Sequence, residues 1–186
     1  MGYNTTSGEG IAIKLDLKSK HLENEYTIYK EIGNYIGVPR VKWFGEDHGR
    51  RALILSLLGP SLEDIFVASG CNLELKTILA IADQLVCVNS LIYSFLLHSF
   101  SCLLKIQLCH LEFIHSRHIV HCDIKPENIL LGRSSSIKIF HLIDFGLAQQ
   151  FRDPCTYIHT PLRKNQPLVG TACYASKNAL LGIGLT

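Results

Sequence analysis

Apolar and polar residues alternate along "GIAIKLDL", Gly10 to Leu17, and that period of two predicts a strand carrying Lys14. In "HLENEYTIYKEIG" the spacing of Leu22, Tyr26, Ile28, Tyr29 and Ile32 is near-helical, and Gly33 supplies the stop. "VKWFG" and "RALILSLL" read as strands joined through a His48-Gly49 turn. Gly59-Pro60 breaks the chain, and "SLEDIF" opens a short helix with Ser61 as its cap and Asp64 closing a capping box. "LELKTILAIADQL" puts Leu75, Ile78, Leu79, Ala82 and Leu85 on one helical face. Beyond the apolar-flanked stretch 119–131, "SIKIFHLIDFG" suggests a hairpin, and a polar loop with Pro154, Pro161 and Pro167 follows. The order is a small strand-rich half, then a helical half, which is an α+β pattern with no internal repeat.

Composition narrows the function classes. The chain has 186 residues, 47% hydrophobic and 18% charged, enough for one domain with a core and too apolar for disorder. A net charge of +2 gives no case for a nucleic-acid partner. Seven cysteines, an odd number without a CxxC pair, fit neither a disulfide framework nor a zinc site. His115, His118 and His121 recur every third residue, but not at zinc-like spacing. A reducing intracellular setting, cytoplasm or nucleus, is the expectation. "MGYNTT" fits a short acylation pattern at Gly2 and Thr6 that is equally a plain loop start.

Two polar patches carry chemistry. "IVHCDIKPENILL" holds Asp123, Lys125 and Asn128, and "LIDFGLA" holds Asp144. Phosphoryl transfer needs a carboxylate beside the attacking hydroxyl, a cation on the transferred phosphate and oxygen ligands for Mg²⁺. The Asp123-to-Asn128 spacing is that of a protein-kinase catalytic loop, and Asp-Phe-Gly follows in order. A lysine on a strand and a carboxylate on the next helix, Lys14 and Glu25, would complete such a site, although one pair alone proves nothing.

"LLGPSLEDIF", "KTILAIADQL", "EFIHSRHIVHCDIKPENILLG", "IDFGLAQQFRD" and "LVGTACYASKN" resemble the casein kinase 1 family of serine/threonine protein kinases, as does Ser176-Lys-Asn178 where most kinases carry Ala-Pro-Glu. The resemblance implies an incomplete two-lobe kinase fold over residues 1–186. About 6–58 would be a partial β-rich N-lobe, and 59–186 the first part of a helical C-lobe with an atypical insertion at 86–107. It implies ATP and Mg²⁺ as cofactors, transfer to Ser or Thr of acidic or phosphate-primed proteins, and a monomer without nucleic acid or a membrane span. By the same resemblance Asp123 takes the hydroxyl proton, Lys125 meets the γ-phosphate, and Asn128 and Asp144 hold the metal. Lys14 contacts the α/β-phosphates and is oriented by Glu25. Leu57 and Leu58 form the hinge for adenine, walled by Ile11, Ala12, Leu55, Leu130 and Ile143, for which plain core packing explains the residue types equally well.

Four departures bear on activity. Gly8 and Gly10 make no GxGxxG lid, so phosphate positioning should suffer. The helices that usually follow "YASKNALLGI" are not in the sequence, which should leave apolar surface exposed. The 22-residue block Val86 to Gln107 has no family counterpart. Removing it joins "ADQL" to "LCHLEFIHS" with Leu85, Leu108, Leu111 and Ile114 on one stripe, and Val and Gln codons can hold splice signals, so the block reads as an intron translated in frame. Its polar residues argue against a membrane span. Finally, Cys122 and Cys173 stand where the family has arginines. Cys173 should weaken preference for primed peptides, leaving Arg152, Arg163 and Lys164 as a smaller basic loop. An exposed thiol at Cys122 would be open to oxidation. These departures keep a second reading open, a catalytically impaired pseudokinase fragment that acts as a binding module, and a third, a mispredicted product.

Overall fold

A computed structural model describes residues 1–16, 20–77, 110–133 and 139–185. Strands β1 (Gly2–Tyr3), β2 (Gly10–Asp16), β3 (Val41–Asp47) and β4 (Arg50–Ser56) form one sheet in the order β1-β2-β4-β3. Every pairing in it is antiparallel. The sheet begins at Gly2, ahead of the predicted strand. Asn4 makes this possible, because its Oδ1 accepts the Thr6 and Ser7 amides and Gly8 closes the turn at φ 68°. β3 and β4 join through His48 (φ 50°) and Gly49 (φ 73°), the two left-handed residues that a two-residue hairpin of native twist requires.

Helix α1 (Lys20–Ile32) lies between β2 and β3 in sequence and buries Leu22, Glu25, Ile28, Tyr29 and Ile32. The stripe matches the predicted one, except that Glu25 takes a buried place and Tyr26 is only half-buried, stacked on Phe44 at 4.2 Å. Helix α2 (Leu62–Ala68) has the expected capping box: Ser61 Oγ accepts the Asp64 amide, and the Asp64 carboxylate accepts the Ser61 amide. Of the next predicted helix, which begins at Leu73, only 73–77 are described; 73–74 are not helical, 75–77 are, and Leu75 is exposed. Residues Ile78 to Leu85 and the 86–107 block lie outside the described residues.

Helix α3 (110–116) leads into β5 (Ile119–Val120), which pairs with β8 (Gln149–Gln150). β6 (Ile129–Leu131) pairs with β7 (Phe140–Leu142). Residues 136–138 of "SIKIFHLIDFG", the segment expected to form a hairpin, lie outside the described residues; its described part gives one strand, β7, whose partner is the end of the catalytic-loop patch. The carbonyl of Asn128 takes the Ile143 amide at 2.9 Å, and Phe145–Leu147 turns as a 3-10 helix immediately after. β9 (Leu162–Arg163), helix α4 (Lys177–Leu180) and β10 (Gly184–Leu185) complete the described chain.

One apolar cluster joins the two halves. It contains Leu22, Ile28, Tyr29 and Ile32 of α1, Leu53 and Leu55 of β4, Ile114, Ile119, Ile129 and Leu142, with Phe145 fully buried among them. The link from sheet to helical half is also hydrogen-bonded. Gly59 N–H donates to Leu131 O (2.7 Å) and Leu131 N–H to Pro60 O (2.9 Å). A Cβ at Gly59 would sit 2.8 Å from that Leu131 oxygen, so a glycine is needed there.

Candidate active site

The catalytic-loop patch is ordered from His121 outward. His121 is buried; Nε2 lies 2.9 Å from the Ile143 carbonyl, and Nδ1 receives the Asp123 amide at 3.2 Å. A carbonyl only accepts and an amide N–H only donates, so the ring carries its proton on Nε2 and is neutral. Burial holds its pKa below the usual value, which agrees. The imidazole thus ties the chain before Asp123 to the chain before Asp144.

Asp123 is almost fully buried, and both of its oxygens are engaged. Oδ1 accepts the Thr171 amide and hydroxyl, each at 2.8 Å. Oδ2 accepts Lys125 Nζ at 2.9 Å and Asn128 Nδ2 at 3.2 Å. Burial pushes the carboxyl up, but the bonds from Lys125 and Thr171 outweigh it and hold it below the ordinary carboxylate range. Lys125 Nζ also donates to Thr171 Oγ1 at 2.9 Å. Thr171 was not singled out from the sequence, because it lies 48 residues from Asp123. Its neighbour offers the one available hint: Gly170 sits at φ 89°, where a Cβ would come 2.4 Å from the Cys122 carbonyl. Only glycine lets that segment approach the catalytic loop so closely.

The second cluster assembles across the fold. Lys14 Nζ on β2 meets Glu25 Oε2 on α1 at 2.7 Å and Asp144 Oδ1 at 2.6 Å. Glu25 is buried, whereas Lys14 and Asp144 are about half exposed, with side chains 42% and 43% accessible. Burial is the largest influence on both members of the pair. On Lys14 two carboxylates overcome it and raise the pKa. On Glu25 one ammonium does not, and burial keeps the carboxyl above its usual value. Asp144 adopts φ 64°, ψ 68°, a left-handed conformation unusual for a residue with a Cβ. It turns the chain so that Phe145 points inward, edge-on to His121 (4.8 Å) and Tyr29 (5.1 Å). Asn24 Nδ2 holds the turn by donating to the carbonyls of Gly146 and Ala148.

The predicted apolar wall is divided by the pleat. Ala12 pairs with Leu55 and Lys14 with Leu53, so Ala12 and Leu55 share the face that carries Lys14. Ile11 pairs with Ser56 and belongs to the opposite face. Gly2 packs near its side chain, so it does not line the same wall. Leu57 and Leu58 follow β4 half-buried, and the Leu57 side chain lies against Gly10. Leu130, on β6, bridges to Ser61, and Ile143 is half-buried beside Asp144.

Two expectations about charge and thiols change. Arg152 is not part of an open basic loop: its Nε donates to His118 Nδ1 at 2.6 Å, and its guanidinium stacks on Phe151 and Tyr157. Arg163, Lys164 and Cys173 are exposed. Cys122 is half-buried at φ 66°, and burial pushes its thiol up, away from the thiolate form that oxidation requires. The described residues contain no group of three or more metal-ligating His, Cys, Asp or Glu, and no helix among them is long and apolar enough to cross a membrane.

A sequence model of the protein kinase domain matches residues 2–182. The chain belongs to the protein kinase domain family. This defines it as a kinase-type transferase fold, in which ATP and Mg²⁺ are the usual cofactors and proteins the usual substrates. The donor set fits such a metal: Asp144 has carboxylate oxygens and Asn128 an amide oxygen, its Nδ2 being bound to Asp123, as a hard divalent cation requires, and Lys14 and Lys125 offer ammonium groups for phosphate oxygens.

Proposed function

We propose that the chain is a serine/threonine protein kinase of casein kinase 1 type, working in the cytoplasm or nucleus. It would transfer the γ-phosphoryl group of Mg·ATP to Ser or Thr of protein substrates. The observation that carries this reading is the ordering of two clusters through two hydrogen bonds at Ile143, one from backbone and one from the His121 ring. Asn128 O to Ile143 N and His121 to Ile143 O place the Asp123–Lys125–Asn128 group next to the Lys14–Glu25–Asp144 group. In this reading Asp123 accepts the substrate hydroxyl proton, and Lys125 steadies the transferred phosphate. Asn128 and Asp144 would hold a divalent metal, which would supply charge neutralisation for the phosphates. Lys14, set by Glu25, binds the α/β-phosphates, while Ala12, Leu55, Leu130 and Ile143 flank the base against the Leu57–Leu58 hinge. Because Arg152 is bound to His118 and Cys173 has no cation, the site should show little preference for phosphate-primed over unprimed peptides.

A second reading, a binding module without transfer, is favoured by one observation. The Thr6 and Ser7 amides in the β1–β2 turn are taken by Asn4 Oδ1, so they are not free to cradle phosphate. One experiment separates the readings: Mg·ATP-dependent thermal stabilisation together with phosphate incorporation into casein. The kinase reading predicts both, with incorporation lost in Asp123→Asn. Stabilisation without incorporation sinks it and supports the binding module.

A further inference from the structure

His110 is the first described residue of α3 and only 3% exposed. Among the described residues neither ring nitrogen makes a well-formed hydrogen bond, although the Phe140 backbone is near enough to favour the charged ring. The ring stands edge-on to Tyr35 at 5.2 Å, and Tyr35 in turn stacks flat on Phe113 of the same helix at 3.8 Å. Gly37 leaves the space for it: a Cβ there would fall 1.8 Å from His110 Nε2. The Gly37 carbonyl accepts the Leu142 amide at 2.8 Å, two residues before Asp144. One imidazole without a well-formed hydrogen bond therefore fills the joint between α3, the loop after α1 and the strand that leads into the second cluster.

The slot is built against a charged ring. The titratable groups that face it are Tyr35 from the loop and His141 from β7, and no carboxylate acts on it among the described residues. Burial, and then His141, hold the pKa down at about 4, while the Phe140 backbone gives slight relief. An apolar side chain would fill the same space without leaving two polar atoms unpaired.

We propose that His110 is an acid-sensitive latch: neutral, it pins the Tyr35–Gly37 loop to α3; protonated, it leaves its slot and frees the Gly37–Leu142 bond that seats the approach to Asp144. The unfolded or opened ring binds a proton more readily than the packed one. Stability from the packed ring is therefore full above the ordinary value of 6.5 and is lost as pH falls toward about 4. The latch rests on packing alone and holds whether or not the chain transfers phosphate.

The test is amide hydrogen exchange at Leu142, corrected for intrinsic rate, in the full chain and in His110→Leu between pH 7 and pH 4.5. The expected result is wild-type protection that falls by roughly tenfold per unit below about pH 6, as release of one proton-binding site requires. The same amide in His110→Leu should lose less than about threefold over the range. Parallel loss in both proteins, or in neither, overturns the latch. Proton NMR of the wild-type His110 ring gives a result that does not depend on the variant. A midpoint well below 6.5 supports the latch, and an ordinary midpoint overturns it.

Discussion

The two charged clusters have similar chemistry and different construction. Asp123, Lys125 and Asn128 come from six consecutive positions, and a neutral histidine, a 3-10 turn and Thr171 hold them. Every oxygen of Asp123 has its donors before any ligand arrives. Lys14, Glu25 and Asp144 come from a strand, a helix and a turn, with Lys14 and Asp144 130 positions apart. Only Glu25 is buried, and its single ammonium partner does not offset the cost. The first cluster is preorganised by local chain, and the second is assembled by packing of α1 on the Phe145 turn. A disturbance of the fold should therefore dismantle the second cluster before the first.

The largest expected effect comes from the centre of the local cluster. Asp123→Asn should lower phosphate transfer by roughly 10³-fold, because it removes the proton acceptor, while Mg·ATP still raises the melting temperature. Retained transfer above a tenth of wild type would remove Asp123 from its proposed role. Lys14→Met should act in the opposite way. It leaves the buried Glu25 without its cation and should abolish nucleotide-dependent stabilisation, read by calorimetry with and without Mg·ATP. Because Lys14 is half exposed, the fold itself should lose only about 1–2 kcal/mol.

Thr171→Val sharpens the contrast within the local cluster. It removes the hydroxyl shared by Asp123 and Lys125 but keeps the amide bond. Transfer should drop by about 10-fold, and Thr171→Ser should restore most of it. If Val and Thr gave equal rates, the hydroxyl would have no positioning role. The smallest effect is remote from both clusters. Ser61→Ala breaks the α2 capping box and should cost about 1 kcal/mol in denaturant unfolding, leaving nucleotide-dependent stabilisation unchanged.

What could be read from the sequence follows the same division. The α2 cap, the His48-Gly49 hairpin, the Gly33 stop and the Asp123-to-Asn128 spacing are local rules of backbone and side chain, and they appear where they were expected. The features not legible there are set by contacts between distant segments. Thr171 reaches Asp123 only because Gly170 allows the approach. Ile11 falls on the far face because the pleat alternates, a matter of register that composition does not reveal. Arg152 looks like a free cation until His118 is beside it. "SIKIFHLIDFG" has the apolar pattern of a hairpin, but the strand in its described part, Phe140–Leu142, pairs with Ile129–Leu131, which had already been assigned to the catalytic patch. β1 has two residues and offers no period to detect.

The claim that both clusters serve one nucleotide is tested most directly by a structure of the chain with Mg²⁺ and a non-hydrolysable ATP analogue. The account predicts the metal on oxygens of Asn128 and Asp144, Lys14 Nζ on the α/β-phosphates while still paired with Glu25, and the γ-phosphate beside Lys125 and Asp123. A nucleotide bound elsewhere, or one that contacts the Lys14 cluster with its γ-phosphate directed away from Asp123, would contradict it.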